Sequence, residues 1–198
     1  GGNGSGKSTL LRTVFGDHAV ATGGSITRAG IGPGVPVSDF KERTGFVAPQ
    51  LQTDYPRHQT VLDTVVSGLY ASIGLNEPAT AADRRRARRM LSRHELVELE
   101  ARKLGELSYG QVRRVLFARA AVAAPRLMLL DEPYTGLSGT ARGALQRALE
   151  REIGEGLTVM IATHYSSEWP AAATHEIELR GGKARYAGPL RRRGGGRK

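Results

Sequence analysis

The stretch Gly1-Gly2-Asn3-Gly4-Ser5-Gly6-Lys7-Ser8-Thr9 constrains this chain more than any other part of it. It fits the pattern G-x-x-x-x-G-K-[ST], in which a glycine-rich loop opens a helix. Glycines let the backbone curl so that successive N–H groups point inward, where side chains would obstruct them. The helix that follows adds its positive N-terminal end. Such a cradle suits the crowded negative charge of nucleotide phosphates. Lys7 is expected to reach the β- and γ-phosphates and the Ser8 hydroxyl to ligate Mg²⁺. Gly1, Asn3, Gly4, Ser5, Gly6 and Thr9 complete the expected cradle. The helix is predicted over 8–15, with Gly16 as its stop.

The chain has 198 residues, enough for one domain or a domain with a small subdomain. It has no cysteine, which excludes a disulfide framework and a thiolate metal site. No apolar run approaches the roughly 18 residues of a membrane span. The richest runs, 127–130 and 157–162, have the length of buried strands. Net charge is +10, and two clusters carry it: five arginines over 84–89, and five basic side chains over 191–198. Such clusters can attract phosphate or an anionic membrane. The reading favoured here is a solvated helix face and a disordered tail.

Along the chain, 19–49 reads as short strands and turns, with a strand over 44–48 ending at Pro49. From 60 to 101 the apolar residues Val61, Leu62, Val65, Val66, Leu69, Met90, Leu91, Leu96, Val97 and Leu99 follow a helical spacing. Then come a helix over 111–123, a strand over 127–130, a helix over 139–153, a strand over 157–162 and a short strand over 176–179. Strand alternating with helix means a parallel α/β sheet, here interrupted by a helical insertion.

The strand Leu127-Met128-Leu129-Leu130 ends in Asp131-Glu132. Acids there stand at the carboxyl edge of the sheet, where open α/β folds bind ligands. Asp131 is expected to hold Mg²⁺ through water, and Glu132 to orient or deprotonate an attacking water. Upstream, Leu107-Ser108-Tyr109-Gly110-Gln111 opens a helix. Here the sequence resembles the ATP-binding cassette (ABC) ATPases. LSYGQ is similar to their LSGGQ signature, the glycine loop to their Walker A, and the acid-ended strand to their Walker B. Gln50 stands where they have the Q-loop glutamine, and His164 follows a strand as their switch histidine does. A finer resemblance, to tandem-cassette proteins of molybdate transport or photorepair, rests on Tyr109, on Leu51-Gln52-Thr53-Asp54-Tyr55 and on the stretch from His164 to Pro170.

The resemblance implies a P-loop (RecA-like) core with a mostly parallel sheet, a small antiparallel β region and an inserted α-helical subdomain. The core would take 1–50 and 107–190, the helical subdomain 51–106, and a basic disordered tail 191–198. It implies ATP hydrolysis to ADP and phosphate, with Glu132, His164 and Gln50 catalytic and Ser8, Gln50 and Asp131 around Mg²⁺. It also implies a head-to-tail pair: Leu107, Ser108, Tyr109, Gly110 and Gln111 would close over ATP held by a second cassette. A membrane permease on a separate chain would be the further partner, at the cytoplasmic face of the membrane. The competing reading is a soluble cassette acting in DNA repair or on nucleic acid or ribosomes, through the arginine clusters. Too few residues separate Gln50 from Leu107 for a long coiled coil. A GTPase would need an N-K-x-D motif, and a P-loop kinase would have no use for LSYGQ.

Three departures from the family's pattern carry expectations. The strand leading into the loop and the adenine-stacking aromatic are missing, so the sequence reads as an N-terminally truncated cassette with backbone groups exposed. Ser138 stands where the family has an aspartate and is expected to weaken cross-talk between paired sites. Tyr109 replaces a glycine and alters contact with the partner's nucleotide.

Overall fold

A computed structural model describes residues 2, 4–20, 23–28, 32 and 35–191. Helix α1 spans Lys7–Phe15, α2 Val37–Glu42, strand β1 Thr44–Val47, α3 Leu51–Asp54, α4 Val61–Val66, α5 Ala81–Arg93 and α6 Tyr109–Ala121. Strand β2 spans Leu127–Asp131, α7 Gly139–Gly154, β3 Thr158–Ala162, β4 His175–Arg180 and β5 Lys183–Pro189. Short 3₁₀ turns lie at Ser67–Tyr70, Val97–Leu99, Leu104–Glu106 and Ser166–Glu168.

Strands β1, β2 and β3 form a parallel sheet in that order. Phe46 pairs with Leu129, and Leu130 with Ile161. β2 is central and buried on both faces, which is why it reads as an unbroken apolar run rather than an alternation. Its side chains divide by the strand's period of two. Met128 and Leu130 pack with Val47 against α6 and α7, through Phe117, Leu145 and Leu149. Leu129 packs with Phe46 and Ala48 against Leu11 of α1. The acids at the end of β2 are therefore delivered beside the start of α1.

A second core joins α4, α5 and α6 through Val61, Val65, Leu91, Val115 and Leu116. Helix α6 serves both cores: Val115, Leu116 and Ala118 face the helices, while Phe117, Ala120 and Ala121 face the sheet. Packing on both sides buries most of this helix although it carries Arg113, Arg114 and Arg119. Its contact with the turn at Ser67–Tyr70 is close enough to require glycine. A Cβ on Gly68 would stand 2.2 Å from the Arg119 carbonyl oxygen.

The expected alternation and the 60–101 helical stretch are present, and the fold is the mixed α/β one expected. Two local expectations are corrected. The 19–49 stretch contains a helix, α2, and among the described residues no strand precedes β1 there. Six residues are too few for helical periodicity to show; α2 is held by burying Phe40, over whose ring Arg28 sits at 5.2 Å. The turn-rich positions Thr22, Gly30, Ile31, Pro33 and Gly34 lie outside the described residues. The single strand expected over 176–179 is half of an antiparallel hairpin, β4–β5, which is the small antiparallel region. Gly181 and Gly182 turn it with φ of 54° and 73°, the doubly positive pair a tight hairpin turn needs. The tail expected to be disordered falls, after Arg191, outside the described residues. Arg191 itself is ion-paired to Glu176 and Glu178 of β4.

Candidate functional site

The loop and α1 start from glycine geometry. Gly4 and Gly6 hold φ of 70° and 99°, left-handed values that disfavour any other residue. A Cβ on Gly4 would meet nothing within 4 Å, so backbone conformation, not crowding, requires glycine there. Ser5 between them is buried. Gly6 is the N-cap of α1, and no side chain caps the helix. The first-turn amides thus face the loop's hollow, the arrangement that receives anions. The β4–β5 hairpin backs the loop, with the Gly182 amide donating to the Ser5 carbonyl at 3.2 Å. At the other end, the Gly16 and Asp17 amides both donate to the Arg12 carbonyl, ending α1 where expected.

Gly4, Ser5, Gly6, Lys7, Ser8, Thr9, Glu132 and His164 line one cavity of about 410 Å³. Lys7 Nζ donates to the Gly2 carbonyl at 3.0 Å and lies 3.2 Å from His164 Nδ1. The other ring nitrogen of His164, Nε2, contacts Glu132 Oε1. Glu132 also accepts from the Thr135 hydroxyl at 3.2 Å. Its amide donates to Ala162 O at 2.9 Å, tying the ends of β2 and β3. Glu132 itself has a φ of 44°, uncommon for a residue with a side chain. Beneath the cavity, the Ser8 hydroxyl donates to Asp131 Oδ1 at 3.0 Å. Burial raises the Asp131 carboxyl above its ordinary pKa, against the opposing pull of the Ser8 bond.

Lysine, histidine and a helix N-terminus face two carboxylates across this cavity. An anion carrying a hard divalent cation satisfies both signs at once. Ser8 and Asp131 supply hard oxygen donors close together, which fit Mg²⁺. Among the described residues no group of three or more His, Asp or Glu could hold a metal alone. The remaining ligands would have to come from phosphate oxygens and water, the usual mode for Mg²⁺.

Gly1 and Asn3 lie outside the described residues. Gln50 is exposed, at the N-terminus of α3, and lines a separate cavity with Phe46, Leu51, Tyr55 and Arg119. The structure does not bring it to the loop. Leu107 to Gln111 are not among the loop cavity's lining residues either. Ser108 caps α6, its hydroxyl accepting from the Gln111 amide at 3.3 Å, while Gln111 Oε1 accepts from the Ser108 amide at 2.9 Å. Ser138 caps α7, accepting from the Ala141 amide at 3.4 Å.

Sequence reasoning missed two supports. The buried Glu168 carboxylate accepts the Thr163 hydroxyl and meets Arg142 at 3.3 Å, anchoring the turn that carries His164. Arg113 is wholly buried and donates toward the Glu132 carbonyl at 3.4 Å. Neither has a local signal: a glutamate near a histidine and an arginine on a helix usually face solvent.

The profile of the family described as ABC transporter matches residues 1–135. ModF of Escherichia coli, an ABC transporter ATP-binding protein, is 34% identical over 195 residues, covering 94% of this chain and 39% of ModF. The manganese transport system ATP-binding protein MntB of Listeria monocytogenes is 30% identical, covering 96% of this chain and 77% of MntB. The sulfate/thiosulfate import ATP-binding protein CysA of Caulobacter vibrioides is 33% identical, covering 95% of this chain and 55% of CysA. The chain thus spans well under two thirds of some of these relatives. Among solved structures, a bacterial ABC transporter cassette in dimeric form superposes with a TM-score of 0.78 at 25% identity, covering 96% of this chain and 83% of that one.

Proposed function

The chain belongs to the ABC transporter family, and on that premise we propose that it binds ATP with Mg²⁺ and hydrolyses it to drive transport through a separate membrane permease. The carrying observation is that Lys7, Glu132 and His164, far apart in sequence, converge on the uncapped glycine loop. Lys7 leaves the Gly2 carbonyl for the β- and γ-phosphates. Ser8 and Asp131 would hold Mg²⁺, which when bound would neutralise charge on the phosphate oxygens. Glu132 takes the proton of the water that attacks the γ-phosphate in line, releasing ADP and phosphate. His164, paired to Glu132, keeps that carboxylate aimed and contacts the γ-phosphate. Gln50 reaches Mg²⁺ only if the turn before α3 moves toward the loop.

A single chain bounds the phosphates on one side, because Ser108 and Gly110 lie away from its own loop. The α6 start of a second cassette supplies the other side in a head-to-tail pair. The division of 1–50 and 107–190 as core from 51–106 as helical subdomain is supported by the two packing clusters, which meet in α6. No described helix is long and apolar enough to cross a membrane. The tandem-cassette, molybdate-related subgroup rests on Tyr109, on the stretch 51–55 and on the stretch from His164 to Pro170. Names among the relatives span sulfate/thiosulfate and manganese, so the transported substrate follows the permease.

The test is Glu132→Gln with Mg²⁺ and ATP. Turnover is expected to fall roughly a thousandfold with ATP still bound, and gel filtration to show a species of twice the mass. Undiminished hydrolysis, or a monomer at saturating ATP, would overturn the reading.

A further inference from the structure

Arg113 heads the fully buried side chains by size among the described residues, and it is a cation. Taking a guanidinium out of water is costly, and buried charges are normally paired with an opposite charge. Here burial depresses the Arg113 pKa below its ordinary value. Among the described residues it makes no ion pair. It donates instead to three neutral oxygens: Nε to Gln52 Oε1 at 2.9 Å, Nη2 to the Tyr109 hydroxyl at 2.7 Å, and Nη1 toward the Glu132 carbonyl at 3.4 Å. An apolar side chain would fill this space without the desolvation cost, so packing alone does not account for arginine.

The three partners belong to segments that are distant in sequence. Gln52 sits in α3, just after Gln50. Tyr109 opens α6. Glu132 follows β2 with its backbone in the left-handed region, at φ 44°. The set closes on itself, because Gln52 Nε2 donates back to the Tyr109 carbonyl at 3.0 Å. The Tyr109 ring also rests on the loop after Glu132: a Cβ on Gly136 would lie 3.1 Å from its Cε1. Tyr109 is nonetheless 46% exposed, so a contact there is felt directly at Arg113. The planar guanidinium fork suits this task, since it fixes three acceptors in one plane where lysine could not.

We propose that Arg113 is a positioning residue that sets the backbone of Glu132 according to what is bound at Tyr109 and how the Gln50–Gln52 segment sits. Contact at either segment shifts the fork, and the fork moves the Glu132 carbonyl. This rests on the reading that Glu132 acts on the attacking water, and two independent measurements separate the two ideas.

The first measurement uses the free chain without nucleotide. Tyr109→Phe keeps the ring on Gly136 and removes only the hydroxyl; Arg113→Gln removes the fork. Hydrogen exchange followed by mass spectrometry should show faster exchange in the peptides covering 50–54 and 132–137 in both variants, with β2 unchanged. Unchanged exchange at 132–137, or a uniform rise across the whole chain, overturns the proposal. The second measurement is steady-state ATP hydrolysis. Tyr109→Phe is expected to lower kcat about tenfold with KM within about twofold, and Arg113→Lys to fail to restore the rate. A variant kcat equal to wild type overturns the proposal. A wild-type chain that binds ATP but never hydrolyses it overturns the functional reading instead, and exchange then decides the proposal alone.

Discussion

Two helix starts in this protein look alike in sequence and differ in state. Helix α1 begins at Gly6, in the left-handed region at φ 99°, with no side-chain cap and its amides open to a cavity. Helix α6 begins at Ser108 with a complete capping box, in which Ser108 and Gln111 satisfy each other's amides. The first is built to be completed from outside. The second is already satisfied from within, by a cap worth about 1 kcal/mol. Affinity for nucleotide therefore belongs to α1. Any use of α6 against a phosphate works through groups the box leaves over: the Ser108 hydroxyl, which only accepts in the box and keeps its own proton to donate, and the Gly110 amide, which is no part of it. Under the proposed function the two ends meet the same phosphates from different chains, one with several open amides and one with little beyond a hydroxyl proton and the Gly110 amide to offer.

Substitutions can break this contrast. Lys7→Ala removes the one ammonium in the open cradle. ATP affinity is expected to fall at least about 100-fold by titration calorimetry, with the melting temperature nearly unchanged. Affinity within threefold of wild type would put the binding site elsewhere. Gly6→Ala forces a Cβ onto a left-handed residue whose nearest neighbour would be Gly182 Cα at 3.5 Å. The cost is conformational, about 1–2 kcal/mol of stability. Nucleotide binding should weaken about tenfold, since the distorted amides are the ones that face the cavity. Alanine tolerated in both measurements would mean the left-handed entry is dispensable. Ser108→Ala is the mildest. Losing the box should lower the melting temperature by about 2–4 °C. Single-chain ATP affinity should stay within about twofold, while the ATP-dependent pair formed in the Glu132→Gln background weakens. Weakened single-chain binding would erase the distinction between the two ends.

Much of the molecule was legible because its signals are local. A glycine run followed by lysine and serine specifies a left-handed loop entering a helix. The start of a helix at Leu107 to Gln111 was legible too, although the capping box between Ser108 and Gln111 emerged only in the structure. An unbroken apolar run ending in acids specifies a central parallel strand with its carboxylates at the edge. Helix α2 escaped because six residues carry no period, and its reason to fold is Phe40 reaching a core made elsewhere. The β4–β5 hairpin was half seen, since β5 alternates among mostly exposed residues and only the Gly181–Gly182 turn marks it. Gln50 follows β1 as its motif suggested, yet its position at the start of α3 puts it on the neighbouring cavity.

The sequence by itself determined the local geometry: which backbone curls, which helix end is capped, and which strand is buried. Those outcomes depend on residues a few positions apart, whose conformational preferences and hydrogen bonds act before anything else packs. Tertiary structure alone decided which polar side chains meet. Lys7 and His164 are 157 positions apart, and Arg113 and Gln52 are 61 apart. Ionic and polar contacts of that kind add little to folding in water and do not choose the fold. They form where the burial of apolar faces on β2 and α6 has already brought their backbones together, and around the buried Arg113 the lowered dielectric adds to their strength.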